Sequence, residues 1–224
     1  MSIGFKINYS IERPDPELVE KFRGLPVANI ADEMSRMSCI DAAIHPYNKT
    51  PLVGTAFTVK APDADNLMFH KALDLAMPGD VIVVTSIGLP NRSLCGEIMM
   101  RYAKSRGIAG FVIDGLIRDV DGAAAIEGFS VYARGVTPLG PYKEGPGEIN
   151  VPIAVGRQVV FPGDIIVGDS DGLVVIHPNE AEKVLTLAKN HLLNEEQTMT
   201  QIARGNGMSH HWVDDILLKK QCEV

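Results

Sequence analysis

Apolar positions along this chain keep two rhythms, one near 3.6 residues and one near 2, and they trade places from end to end. From Pro14 to Arg36 the spacing is helical. Within it, Leu25-Pro26-Val27-Ala28-Asn29-Ile30-Ala31-Asp32 opens a second helix, with Pro26 in a first turn where its missing N–H costs nothing. Val53 to Lys60 is rich in β-branched and aromatic residues and stops at Ala61-Pro62, which predicts a strand, and Asn66 to Ala76 returns to helical spacing. Ser93 to Arg106 carries Leu94, Ile98, Tyr102 and Ala103 at helical positions, with Gly107 as its stop. Gly110 to Asp114 follows as a buried strand and Gly115 to Asp119 as a turn.

The second half reads mostly as strands: Ser130–Ala133, Val151–Val155, Gln158–Phe161, Ile165–Val167 and Leu173–Ile176. Thr137 to Pro146 is a Gly/Pro-rich loop. A long helix runs from Asn179 to Arg204, closed by Gly205. The segment with His210, His211 and Trp212 predicts a short amphipathic helix packing on the body or on a neighbouring subunit. The device Pro-Gly-Asp occurs before two strands, at Pro78-Gly79-Asp80 and Pro162-Gly163-Asp164. Proline sets φ for one central turn position and glycine supplies positive φ at the next, so each copy predicts a type II turn. Helices alternating early with strands, then meandering strands, predict a single layered α/β domain spanning 1–224, with N-terminal helices over 1–36 and a C-terminal helix and tail over 179–224.

Composition narrows the functions. The 224 residues are 46% hydrophobic, an ordinary globular content. A net charge of -7 excludes an electrostatic grip on nucleic acid, which needs clustered Lys and Arg. The longest apolar run, Val81 to Leu89, is broken by Thr85, Ser86 and Gly88 and falls short of the ~20 residues of a membrane helix. The N-terminus shows no export signal, and Cys39, Cys95 and Cys222 are an odd, widely spaced set, so no disulfide framework or membrane partner is expected and the cytoplasm is the expected compartment.

The candidate chemistry centres on Arg118-Asp119, delivered by the apolar run Gly110-Phe-Val-Ile-Asp-Gly-Leu-Ile. In a turn after a strand both side chains can converge: the guanidinium on a carboxylate or enolate oxygen, the carboxylate on a hard cation. Gly115 would free the backbone at the strand end, where α/β folds place ligands. Gly96-Glu97-Ile98-Met99 offers a helix start, whose first N–H groups lack intrahelical partners and favour an anion. Each feature alone is also ordinary turn and cap chemistry. Cys95 near that helix start reads as a small packed residue, Asp169-Ser170-Asp171-Gly172 as a hairpin turn rather than a calcium loop, and His210-His211 as surface polar residues. No lysine is expected in the site, which disfavours Schiff-base chemistry.

Gly96-Glu97, then twenty residues, then Arg118-Asp119 resembles the acid-x20-Arg-Asp signature of the class II 4-hydroxy-4-methyl-2-oxoglutarate aldolases and their RraA-like relatives. The likeness extends through Pro78-Gly79-Asp80, Val112-Ile113-Asp114-Gly115, Asn150-Val151-Pro152-Ile153 and Pro162-Gly163-Asp164 to Asp169-Ser170-Asp171-Gly172. It implies an α/β/β sandwich of the swivelling phosphohistidine-domain type, assembled as a homotrimer or dimer of trimers with active sites between subunits. It further implies that Arg118 binds a small 2-oxo acid and stabilises its enolate, that Asp119 ligates a divalent metal, and that Gly96, Glu97, Ile98 and Met99 hold the pyruvyl carboxylate. Glu97 stands where the aldolases usually have Asp. Acids from a neighbouring subunit would be Asp32 and Glu195, with Glu33, Glu196 or Gln197 as alternatives in those places. A single protein carboxylate at the metal suits Mg²⁺ or Mn²⁺ better than zinc. The implied reaction is retro-aldol cleavage to pyruvate, with oxaloacetate decarboxylation through the same enolate and either a metal-bound water or a carboxylate as base. The other implied class is a non-enzymatic regulator of a ribonuclease complex, whose members commonly carry an acid at the place held here by Gly122.

Overall fold

The computed structural model describes residues 3–88, 90–207 and 209–223, so Leu89, the end of the longest apolar run, lies outside the described residues. The chain begins with β1 (Phe5–Ile7), α1 (Pro16–Glu20) and α2 (Val27–Glu33), then β2 (His45–Pro46), β3 (Leu52–Pro62) and α3 (Leu67–Leu75). β4 (Asp80–Ile87), β5 (Ser93–Cys95), α4 (Glu97–Ser105), β6 (Gly110–Ile117), α5 (Val120–Ala124) and β7 (Ser130–Val136) form the middle. After them come β8 (Gly147–Ile149), β9 (Ile153–Val155), β10 (Gln158–Val160), β11 (Ile165–Gly168), β12 (Leu173–Ile176), α6 (Ala181–Ala203) and α7 (His211–Lys219).

The main sheet runs β1-β8-β3-β4-β6-β7-β2, with β3, β4, β6 and β7 mutually parallel and β5 parallel to the end of β6. β3 is long enough to serve two partners on one edge. Its first residues pair antiparallel with β11, and Val59 and Lys60 pair with β8. At one end the sheet stops at the two-residue β2, which contains Pro46.

Strand alternation divides the apolar side chains between two layers. Ile82, Val84, Phe111, Ile113 and Val131 face α3 and α4 in one core, where Phe111 meets Phe69 and Phe129 edge-on at 4.9 Å. Val81, Val83, Val112 and Tyr132 face the other way, onto Ile153, Val155 and Val160 of the β9–β10 hairpin. Helices, sheet and hairpin are thus the layers of the expected α/β/β sandwich. A third core joins Phe22, in the turn after α1, and Ile30 of α2 to β11, β12 and Val184 and Leu185 of α6.

Local chemistry explains the turns. Gly79 and Gly163 take φ of 85° and 96°, as the Pro-Gly-Asp turns require, and each aspartate closes its own turn. Asp80 accepts from the Met77 N–H at 2.8 Å, and Asp164 from the Phe161 N–H at 2.8 Å. Asp80 is also clasped by Arg13 through two bonds of 2.9 and 2.7 Å, tying the N-terminal segment to the sheet. The Asp169–Gly172 segment is the hairpin turn between β11 and β12, as expected.

Three expectations are corrected. The predicted helix from Ser93 starts at Glu97, because Ser93, Leu94 and Cys95 are buried and pair with β6 instead. β6 runs on through Gly115 to Ile117, so Gly115 is a strand residue, its position crowded by Leu94 and Ser86, and the turn is Arg118-Asp119 alone. The second N-terminal helix, expected from Leu25, begins at Val27, so Pro26 is the residue before it rather than within its first turn.

Candidate active site

The site forms at the carboxyl ends of the parallel strands, where β6 and β5 finish side by side. The Arg118 N–H donates to the Cys95 carbonyl at 3.0 Å, which pins the end of β6 to the residue before Gly96. Asp119 then takes the left-handed conformation, φ 60° and ψ 45°, and its carbonyl accepts from Ala123 to start α5. Aspartate tolerates that region better than most side chains, and strained residues of this kind concentrate at functional sites. The twist aims its carboxylate at the start of α4: Oδ2 accepts from the Glu97 N–H at 3.0 Å and lies 3.6 Å from Arg118 Nε.

Gly96 completes the arrangement. Its φ of -142° is open to any residue, but a Cβ there would overlap Asp119 Oδ2 and stand 3.0 Å from Arg118 Nε. Gly140 makes the same kind of room, since a Cβ on it would lie 3.1 Å from Arg118 Nη1.

A cleft of about 210 Å³ opens over these groups, lined by Gly96, Ile98, Met99, Arg118 and Asp119, and across from them by Asn66, His70, Pro141 and Lys143. That volume is below the usual range for drug-sized ligands and suits a small acid. Asn66 is almost fully buried; it donates to the Leu94 carbonyl at 2.8 Å, and its Oδ1 has no hydrogen-bond partner among the described residues. Burial and the charge of Lys143 push the His70 imidazole below its ordinary range, which favours the neutral ring. Burial drives the Cys95 thiol far upward, so Cys95 is a packed floor residue and not a nucleophile.

Arg118, Asp119, Gly96, Ile98 and Met99 therefore share one cleft. The Glu97 N–H reaches Asp119, while its carboxylate pairs with Arg101 at 2.6 Å and lies over Gly122. In the first turn of α4 the Met99 N–H is taken by the Gly96 carbonyl at 3.1 Å. The expectation of a lysine-free site is corrected: Lys143, carried in by the 137–146 loop, lines the cleft. It is an exposed ammonium and not the desolvated amine that Schiff-base chemistry needs.

Asp32 and Glu195 do not line this cleft. They belong to a second acidic group where α2 packs on α6. Asp32 pairs with Arg36 at 2.8 Å, and Glu195 accepts from Asn29 Nδ2 at 2.7 Å. Glu33 meets His191 Nδ1 at 2.8 Å, and Glu196 and Gln197 are exposed. Among the described residues no three of His, Cys, Asp and Glu are grouped as a metal cage. Sequence reasoning named the Arg-Asp turn and the helix start but missed Asn66, His70, Lys143 and His191. The apolar run Leu67-Met68-Phe69 directly after Asn66 and the Gly/Pro-rich setting of Lys143 are the signals that could have found two of them.

Residues 27–175 match the family model described as RraA-like, Aldolase/RraA. A protein of Halalkalibacterium halodurans with the provisional name 4-hydroxy-4-methyl-2-oxoglutarate aldolase is 40% identical over 181 residues, 80% of this chain and 86% of that one. Among solved structures, an uncharacterized protein from Pseudomonas syringae superposes with a TM-score of 0.79 at 24% identity, covering 88% of this chain and 97% of the other. A Streptomyces coelicolor protein described as an unusual member of the RNase ES inhibitor RraA protein family gives a TM-score of 0.75 at 28% identity, over 85% of this chain and 99% of that one. Among the described residues no helix is long and apolar enough to cross a membrane.

Proposed function

The chain belongs to the RraA-like family, and on that premise we propose that it is a cytoplasmic, divalent-metal-dependent lyase that cleaves a 4-hydroxy-2-oxo acid to pyruvate and decarboxylates oxaloacetate. The observation that carries this reading is the Gly96–Arg118–Asp119 cleft, a cation and a carboxylate held against a helix start with no room for a side chain between them. The 40% identical aldolase-named relative supports the same reaction class.

The donor chemistry fits a hard cation. Asp119 supplies carboxylate oxygen, and its Oδ1 has no protein hydrogen bond among the described residues. One carboxylate, with no group of three His, Cys, Asp or Glu around it among the described residues, suits Mg²⁺ or Mn²⁺, which retain waters, better than zinc. When bound, such a cation acts as a Lewis acid that polarises the 2-oxo group.

The remaining work falls to the chain itself. Arg118 presents a planar fork to the carboxylate and 2-oxo oxygens. Ile98, in the first turn of α4, has an N–H without an intrahelical acceptor and adds a neutral donor to the same anion. As the C3–C4 bond breaks, its electron pair moves toward the 2-oxo oxygen, and the guanidinium opposes the charge that develops there. The 4-hydroxyl proton goes to a carboxylate, which we assign to Asp32 or Glu195 of a neighbouring copy in a homotrimer or dimer of trimers. With a 4-carboxylate in place of the hydroxyl, loss of CO₂ yields the same enolate. Glu97 serves through its N–H, which holds Asp119 in line.

The test is pyruvate release from 4-hydroxy-4-methyl-2-oxoglutarate and from oxaloacetate with Mg²⁺. Turnover should vanish with chelator, and Arg118→Ala should lower kcat by about 100-fold or more. Asp119→Asn should do likewise while keeping the left-handed turn, which Asn also tolerates. A folded protein with no metal-dependent turnover on any 4-substituted 2-oxo acid sinks the proposal. A second reading, a ribonuclease-binding regulator, draws on the Streptomyces coelicolor neighbour. Ribonuclease inhibition without turnover would promote it.

A further inference from the structure

The acids nominated as subunit-shared groups converge on a histidine that the proposed reaction has not used. His191 lies on α6, one turn before Glu195, and faces α2. Its Nδ1 is 2.8 Å from Glu33 Oε1, and its Nε2 is 3.5 Å from Glu195 Oε1. The other oxygen of Glu195 accepts from Asn29 Nδ2, and Asn29 is only 4% exposed, so it is a fixed donor.

The charged groups around the ring are Glu33 and Asp32 from α2 and Glu195 from its own helix, with Arg36 drawn to Asp32. A neutral imidazole has one N–H and one lone pair, so it cannot face two carboxylates favourably through both nitrogens. The arrangement calls for an extra proton, held on the ring or shared with Glu195. Glu33 and the other acids correspondingly raise the affinity of His191 for protons.

Resting on the reading that Asp32 and Glu195 serve a neighbouring copy's cleft, we propose that His191 is the positioning residue of this acidic group. It ties Glu33 to Glu195 across the α2–α6 contact and, with Asn29, fixes the orientation and protonation in which the Glu195 carboxylate is presented. His191 does not touch substrate. It acts through Glu195, as a ring held at its far nitrogen orients the group at its near one.

Steady-state kcat and KM for metal-dependent pyruvate release, measured from pH 5.5 to 9 on the full chain, test this. The native profile should decline as pH rises through the elevated pKa of His191, since the ring then loses the proton that faces Glu195. His191→Gln and His191→Asn should lower kcat by about 10-fold with KM nearly unchanged and should remove that limb. Each variant should keep the native oligomer mass and melting temperature within a few degrees. If one variant fails to fold, the other carries the measurement. Superimposable pH profiles of a folded variant and the native chain overturn the proposal. Glu195→Gln and Asp32→Asn separate the two levels. If both retain full kcat, the subunit-shared reading itself falls. If either is impaired while the His191 variants are native-like, only the role of His191 falls.

Discussion

Two glycines show how the site is set residue by residue. At Gly96 the space for a Cβ is already filled by Asp119 and Arg118, the groups on which the proposed chemistry depends. At Gly122 the obstacle is the end of the Glu97 side chain, a flexible group that can swing away. We therefore expect Gly96→Ala to reduce kcat by about 100-fold or more while the protein stays folded. Gly122→Ala should leave kcat within about threefold and stability within about 1 kcal/mol, because alanine's higher helix propensity in α5 offsets the displaced Glu97. Kinetics and thermal melts on the two variants check both. The contrast also bears on Glu97, whose extra methylene relative to aspartate finds its room over Gly122 and its partner in Arg101. An acid at 122 would contest that room with like charge.

At the scale of elements, the two Pro-Gly-Asp turns share a design but not an electrostatic outcome. Asp80 is buried with Arg13 as its counter-ion, whereas Asp164 is buried with an Oδ1 that has no partner among the described residues. Burial raises the Asp164 carboxyl above its ordinary range, against the smaller lowering effects of the Phe161 N–H and His177. A carboxyl raised in the folded state binds its proton there before the unfolded chain does, so it adds stability as pH falls through the raised value. The gain levels off once pH is below the ordinary carboxylate range. Chemical denaturation of native chain and Asp164→Asn between pH 7 and pH 3.5 should thus show the native chain gaining on the variant as pH falls. A constant difference would refute it.

These turns, α6 and the strand into Arg118-Asp119 were legible in the sequence because their signals are local: a proline beside a glycine, an apolar run, a helical period. β1, β2 and β8 were not, since two or three residues carry no period and β1 is defined by pairing with β8, some 140 residues away. Ser93–Cys95 misled because leucine and cysteine at a helix start look the same as at a buried strand end. The far wall of the cleft was hidden for a related reason. Asn66, His70 and Lys143 meet Arg118 only through the fold.

At the scale of the whole molecule, the C-terminal region asks for company. The buried face of α6 ends at Ala188, and beyond it Leu193, Met199 and Ile202 are exposed. α7 has no buried residue at all, although it carries Trp212, Ile216 and Leu218. A nine-residue helix is marginal in water without packing partners. We expect light scattering to give a mass of three or six chains. Removal of residues 206–224 should shift that mass downward or lower the concentration at which the assembly holds. A native monomer at micromolar concentration would contradict both this and the sharing of Asp32 and Glu195.

The short β2 strand, with Pro46 at the rim of the main sheet, restricts what form such association can take. Proline offers no N–H to a further strand, and two residues make too brief a template for one. A strand arriving at this rim would find no ladder to extend, so the sheet does not grow from its β2 side.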